Sequence, residues 1–264
     1  MSIVCGHRGL GPTRASGSFP ENTIESIQAA IEAGATMVEF DVQLSADDVP
    51  VLMHDDTLDR TTSGRGCVSA FTLAELRTLD AGVGTPLVGQ GVRVATLGEL
   101  LSAVPIALNV EIKVADAGCR RHDAERVAEV VLAALAADPR RDERHVLISS
   151  FDLELLRVVR GRDATVPLGW LIERADERTS WVARARDAGC QALHPHHAFI
   201  DEALAQECRA AGLELNTWTV NQRARAEQLV AWGVRVIITD DPAAMQGIAP
   251  SSAPAAASHL SSRD

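Results

Sequence analysis

Glu39 and Asp41 stand two residues apart in the run VEFDV, and His54 and Asp55 close the run VPVLMHDD. Strict alternation puts both carboxylates on one face of an extended strand, with Val38, Phe40 and Val42 on the other. Two inward carboxylates about 7 Å apart repel each other unless something positive sits between them. A divalent cation with oxygen ligands is the simplest cause for such a pair. An E-x-D pair alone is equally what a solvated strand edge presents, so the assignment needs further ligands from elsewhere in the chain. His7-Arg8 and the run EIK at 111–113 likewise set charged side chains after short apolar stretches.

The elements that must bring these residues together follow from periodicity. Short apolar runs predict strands over Ile3–Gly6, Met37–Val42, Ile106–Ile112, Val146–Ser149, Val166–Leu171, Ala192–His194, Leu213–Thr217 and Val234–Ile238. Helical spacing lies between most of them, over Thr23–Ala33, Asp123–Ala136, Leu153–Val159, Ser180–Ala188, Ile200–Ala211 and Arg223–Trp232. Several helices end at a glycine (Gly34, Gly189, Gly212 and Gly233) shortly before the next strand. Strand and helix alternating in this way predict an α/β fold, a parallel sheet closed into a (β/α)₈ barrel, for which about 250 residues is an ordinary length. The stretch 57–104 breaks the rhythm and reads as an excursion over the barrel mouth, with a helix-like piece at Thr72–Leu79. The barrel is expected to span 1–246, followed by a disordered low-complexity tail over 247–264.

A barrel displays its chemistry at the C-terminal ends of its strands. Here those ends carry His7 and Arg8, then Glu39 and Asp41, then Glu111 and Lys113. Two imidazoles, His7 and His54, are the acid–base candidates, since an unperturbed imidazole titrates at about 6.5. Lys113 is the one lysine among 25 basic residues, in a chain that otherwise uses arginine. Asn22 reads as the N-cap of the first helix, with Glu25 at capping-box spacing. Glu21 and Asp55 are placed to orient a histidine or a metal-bound water. LHPHH at 193–197 looks metal-like, but Pro195 favours a loop or pocket wall.

Composition excludes several classes. A net charge of −11 argues against nucleic acid or an anionic membrane surface as the main partner. No apolar run approaches the length of a membrane span, and the N-terminus enters a strand directly, so a cytoplasmic protein with no stable membrane association is expected. The five cysteines have neither C-x-x-C nor zinc-like spacing, which predicts reduced, mostly buried thiols.

HRG at 7–9, PENT at 20–23, EFDVQLSADDVPVLMHDDTLDRTTSGRG at 39–66, EIK at 111–113, SSF at 149–151, TWTVN at 217–221 and GVRVIITDDP at 233–242 together resemble the glycerophosphodiester phosphodiesterases. The resemblance covers nearly the whole chain with its motifs in order, and departs from the family's pattern at Arg235. It implies a barrel with an insertion after the second strand. It also implies Glu39, Asp41 and Glu111 as ligands of one divalent metal, Mg²⁺ or Ca²⁺, and His7 and His54 as an acid–base pair. Arg8 and Lys113 would hold the phosphate, and Trp218 would wall the substrate. A cationic leaving group could rest on Trp170 or Trp218. The implied activity is metal-dependent hydrolysis of small glycerophosphodiesters to sn-glycerol 3-phosphate and an alcohol, with oligomeric state open. The competing readings are a phosphodiesterase of lysophospholipids or sphingolipids, and a non-catalytic phosphodiester-binding barrel.

Overall fold

The computed structural model describes residues 3–14, 17–115, 118–119 and 122–248. The tail expected to be disordered lies outside these from residue 249 onward. The strands are β1 (Ile3–His7), β2 (Met37–Leu44), β3 (Pro50–Leu52), β4 (Ala107–Ile112), β5 (Val146–Ser150), β6 (Leu168–Ile172), β7 (Ala192–Pro195), β8 (Glu214–Thr217) and β9 (Val236–Thr239). The helices are α1 (Ile24–Glu32), α2 (Leu73–Leu76), α3 (Leu97–Ala103), α4 (Ala124–Ala136), α5 (Leu153–Arg162), α6 (Trp181–Asp187), α7 (Glu202–Ala210) and α8 (Arg223–Trp232).

The strands run in the order β1-β9-β8-β7-β6-β5-β4-β2, and β1 pairs with β2 to close the ring. Every pair in the ring is parallel, so this is the expected (β/α)₈ barrel; β3 is an antiparallel flap on β2. Register then decides which side chains meet. His7 lies beside Glu39 across the β1–β2 seam, and Asp41 beside Glu111 across β2–β4.

The main core lies between strands and helices, built on Val38, Phe40, Val42, Leu108, Val110 and the inner faces of the helices. α3 belongs to it through Leu97, Leu100 and Leu101, so regular structure resumes inside the stretch that reads as an excursion. A capping box marks its start: the Thr96 hydroxyl accepts from the Glu99 N–H, and the Glu99 carboxylate accepts from the Thr96 N–H. A second, separate cluster fills the excursion itself. Val51 and Met53 from the flap pack there against Leu58, Val68, Leu76 and Val92.

The barrel interior is unusually polar at mid-height. Ser149 Oγ donates to Asn109 Oδ1 at 2.8 Å, and Asn216 faces His194 Nε2 at 2.8 Å, all four residues being buried. The Val236 N–H donates to Asn216 Oδ1, so the Asn216 amide NH₂ must face His194. The imidazole therefore accepts at Nε2 and carries its proton on Nδ1, which has no hydrogen-bond partner. Burial pushes His194 down to about 3, so it stays neutral near pH 7. His194 is thus a barrel-interior residue of β7, in keeping with the strand expected over Ala192–His194; the reading of LHPHH at 193–197 as loop or pocket wall is corrected at this histidine alone.

Cys5, Cys190 and Cys208 are free and buried, as expected. Cys67 and Cys119 are not: they form a disulfide with Cα atoms 5.6 Å apart. The expectation of five reduced thiols is corrected here. The bridge ties the excursion to the loop after β4, which only the folded topology brings together.

Candidate active site

His7 ends β1 and is followed by a strained turn. Arg8 has φ +52° and Gly9 φ +91°; a Cβ on Gly9 would lie 2.3 Å from Ser26 Oγ, so only glycine fits against α1. The turn is repaid locally by Leu10 N–H donating to Ser26 Oγ (2.9 Å) and Asn22 N–H to the Arg8 carbonyl (3.1 Å). Asn22 is itself left-handed, at φ +56°. It is not the N-cap expected from sequence; Thr23 takes that place, its hydroxyl accepting from Ser26 N–H. Asn22 instead grips Asp41 twice. Its Nδ2 donates to Asp41 Oδ2 (2.8 Å) and its Oδ1 accepts from the Asp41 N–H (3.0 Å).

Glu39, Asp41 and Glu111 converge at the rim, all buried, each offering an oxygen within 4.8 Å of the others'. Glu39 Oε2 accepts from the Arg8 N–H at 3.0 Å, whereas Glu39 Oε1 and Asp41 Oδ1 are buried without a hydrogen bond. Burial and the charges of Asp41 and Glu111 push Glu39 well above the usual carboxylate range. Burial raises Glu111 too, against the pull of Lys113. Asp41 goes the other way: burial is outweighed by Lys113 and Arg8, which hold it at about 2. Lys113 Nζ lies 2.7 Å from Glu111 Oε1 and 3.6 Å from Asp41 Oδ1, and these anions hold it protonated against the cost of burial. Arg8 pairs with Glu21 (2.9 Å) and lies 3.4 Å from Asp41. Three buried carboxylates, of which Glu39 and Glu111 are destabilised as anions and Glu39 and Asp41 each keep an orphaned oxygen, fit an oxygen-liganded divalent cation.

The two histidines are built alike. His7 Nδ1 donates to Asp240 Oδ1 at 2.6 Å, and His54 Nδ1 to Asp55 Oδ1 at 2.7 Å. A carboxylate only accepts, so each ring carries its proton on Nδ1 and keeps Nε2 for proton transfer. His54 sits in a turn beyond the flap. Gln43, third in the inward row Glu39–Asp41–Gln43, shapes that turn, its amide lying 3.1, 3.1 and 2.7 Å from the carbonyls of Met53, His54 and Asp55.

His7, Arg8, Glu39, His54, Glu111, Lys113 and Trp218 all line one cleft of about 870 Å³. Trp170 does not line it; it is buried, with Arg184 over its ring at 4.9 Å. Trp218 and Phe151 do, meeting edge to face with ring centres 5.4 Å apart.

Sequence reasoning missed Asp240, Asn221, Gln43 and Arg60. Asn221 Nδ2 donates to Asp240 Oδ2 (2.8 Å) while its Oδ1 accepts from the Asp240 N–H (2.9 Å), fixing the partner of His7. Barrel closure could have found Asp240, because the β1–β9 register sets Gly6 against Thr239 and so puts the next residues side by side. Gln43 could have been read from the same alternation that gave Glu39 and Asp41.

A family model described as the glycerophosphoryl diester phosphodiesterase family matches residues 7–244. A glycerophosphodiester phosphodiesterase of Caldanaerobacter subterraneus subsp. tengcongensis is 34% identical over 244 residues, 91% of this chain and 95% of its own. Another, from Bacillus subtilis, is 29% identical over 91% of this chain and 84% of its own. Among solved structures, an Oleispira antarctica phosphodiesterase in complex with the product sn-glycerol-3-phosphate superposes with a TM-score of 0.82 at 30% identity, covering 92% of this chain and 95% of that one.

Proposed function

Because the chain belongs to the glycerophosphoryl diester phosphodiesterase family, we propose that it hydrolyses small glycerophosphodiesters to sn-glycerol 3-phosphate and an alcohol, with His7 and His54 transferring the protons. The observation that carries this reading is the arrangement around one cleft: two imidazoles, each with Nδ1 tied to an aspartate, beside three buried carboxylates and two cations.

A phosphodiester resists attack because it is anionic and its leaving alkoxide is poor, so charge must be offset and protons moved. Glu39, Asp41 and Glu111 would hold one divalent cation, Mg²⁺ or Ca²⁺, which when bound neutralises phosphate charge as a Lewis acid. Arg8 and Lys113, held at the rim by Glu21, Asp41 and Glu111, would contact non-bridging oxygens, one through a planar fork and the other as a point charge. One imidazole Nε2 takes the proton of a substrate glycerol hydroxyl as it attacks phosphorus. The other, entering with a second proton on its Nε2, gives that proton to the departing alcohol. A water then opens the cyclic phosphate with the two imidazoles exchanging roles. Trp218 and Phe151 would wall the leaving group.

Release of glycerol 3-phosphate from glycerophosphocholine, followed with a coupled assay, tests this. EDTA should abolish turnover and Mg²⁺ or Ca²⁺ restore it; turnover indifferent to chelation would remove the metal from the proposal. His7→Ala and His54→Ala should each slow the reaction by at least about 10²-fold. Near-normal rates in either variant would end that residue's assignment.

No helix among the described residues is long and apolar enough to cross a membrane. A cytoplasmic site of action remains part of the proposal, with one observation against it: a disulfide is uncommon where thiols are kept reduced. Cell fractionation with a compartment marker decides it.

A further inference from the structure

His7 and His54 face the same chemistry but are anchored very differently. His7 is the last residue of a barrel strand, and its partner Asp240 directly follows the neighbouring strand β9. His54 and Asp55 lie beyond the flap and belong to no strand of the ring, and both side chains are about a quarter to a third exposed (30% and 27%). Gln43 holds only the backbone carbonyls of that turn. Something else must fix the two side chains.

Arg60 makes the connection. Its Nε and Nη2 donate to Asp55 Oδ2 (2.7 Å) and Oδ1 (2.9 Å), and its Nη1 and Nη2 donate to Glu21 Oε2 (2.6 Å) and Oε1 (2.8 Å). One guanidinium thus spans two carboxylates with both edges of its fork. Glu21 is buried and independently anchored, accepting from Arg8 Nη1 (2.9 Å) and from the Thr13 N–H (2.6 Å). The result is an unbroken chain, His54–Asp55–Arg60–Glu21–Arg8, from the flap to the turn after β1. An isolated exposed ion pair would be worth little, but a doubly bidentate one with a buried end is a positional lock.

We propose that Arg60 is a positioning residue for catalysis: it clamps Asp55 to Glu21 and so holds the His54 ring, with its proton on Nδ1, in register with His7 across the cleft. The proposal rests on the phosphodiesterase reading above. Arg60 reaches His54 through Asp55 and Arg8 through Glu21, but Glu21 keeps its bonds to Arg8 and Thr13 without Arg60, so losing Arg60 should lower turnover while leaving substrate affinity and the metal-binding carboxylates nearly untouched.

The test uses the full chain with glycerophosphocholine and saturating Mg²⁺ or Ca²⁺. Arg60→Ala is expected to lower kcat by about 10²-fold, the scale of a misplaced catalytic group, with KM within about threefold of wild type. Free guanidinium chloride at millimolar concentration should restore part of that loss, and sodium chloride at equal ionic strength should not. Arg60→Lys should recover little, because an ammonium cannot fork to two carboxylates at once. Arg60→Gln gives the same reading if the alanine variant folds poorly. In an Asp55→Asn background the Arg60→Ala change should cost less than about threefold, since the lock it serves is already open. Turnover of Arg60→Ala within threefold of wild type, a full additive loss in the double variant, or rescue by sodium chloride would each overturn the proposal. A wild-type protein inactive on every glycerophosphodiester with metal added would instead overturn the phosphodiesterase reading, and this inference with it.

Discussion

Reducing the bridge between Cys67 and Cys119 should cost the fold about 4 kcal/mol. The two cysteines are 52 residues apart in sequence, and the loop they close contains α2, α3 and β4. In the chain-entropy account a loop of that length removes about 14 cal/mol/K from the unfolded ensemble, which is about 4 kcal/mol at 25 °C. For a chain of this size each kcal/mol moves the midpoint by roughly 2–4 °C, so Tm should fall by roughly 8–16 °C. Urea and thermal unfolding of metal-free protein, with and without dithiothreitol, measure this directly, and Cys67→Ala should match the reduced wild type. Because the effect belongs to the unfolded chain, it should persist whether or not metal is bound. A loss below about 1 kcal/mol would refute the loop-closure reasoning. Five alkylatable thiols in denatured, never-reduced protein would refute the pairing itself.

Two further outcomes follow from the charged groups. Burial, Asp41 and Glu111 raise Glu39, so the metal-free site should carry a proton that Mg²⁺ or Ca²⁺ displaces. Metal affinity should therefore rise with pH, and calorimetry in buffers of different ionisation enthalpy should show proton release; buffer-independent enthalpies would contradict it. His194 is held down to about 3 by burial, against an unfolded value of about 6.5. The unfolded chain binds the extra proton below about 6.5, so stability is lost as pH falls from there, by about 2 kcal/mol at pH 5. Urea titrations at pH 7.5 and 5 should show this loss, and His194→Gln should remove it; an equal loss in the variant would place its origin elsewhere.

How legible the site was depended on whether its parts were local. Alternation alone put Glu39 and Asp41 on one buried face, and strand-end logic brought His7, Glu111 and Lys113 to the same rim. Asn22 was misread because an Asx residue before a helix is a normal cap. In the fold Thr23 caps equally well, which leaves Asn22 to meet the stronger need of buried Asp41. Asp240 and Arg60 escaped because each acts on a histidine through ring closure or through a loop, and an arginine in an arginine-rich chain carries no signal by itself. The cysteine pairing was invisible for the same reason: spacing does not report which loops lie side by side.

The satellite cluster beneath the excursion gives the enzyme two separately founded halves. His7 stands on the barrel's own core, whereas His54 stands on Val51, Met53, Leu58 and their neighbours, a small cluster with no share in the main one. A segment so founded can open as its own cooperative unit while the ring stays intact. On the proposed mechanism, substitutions beneath the flap should therefore retune or silence turnover without unfolding the barrel. In this architecture, evolvability of rate is housed apart from the burden of staying folded.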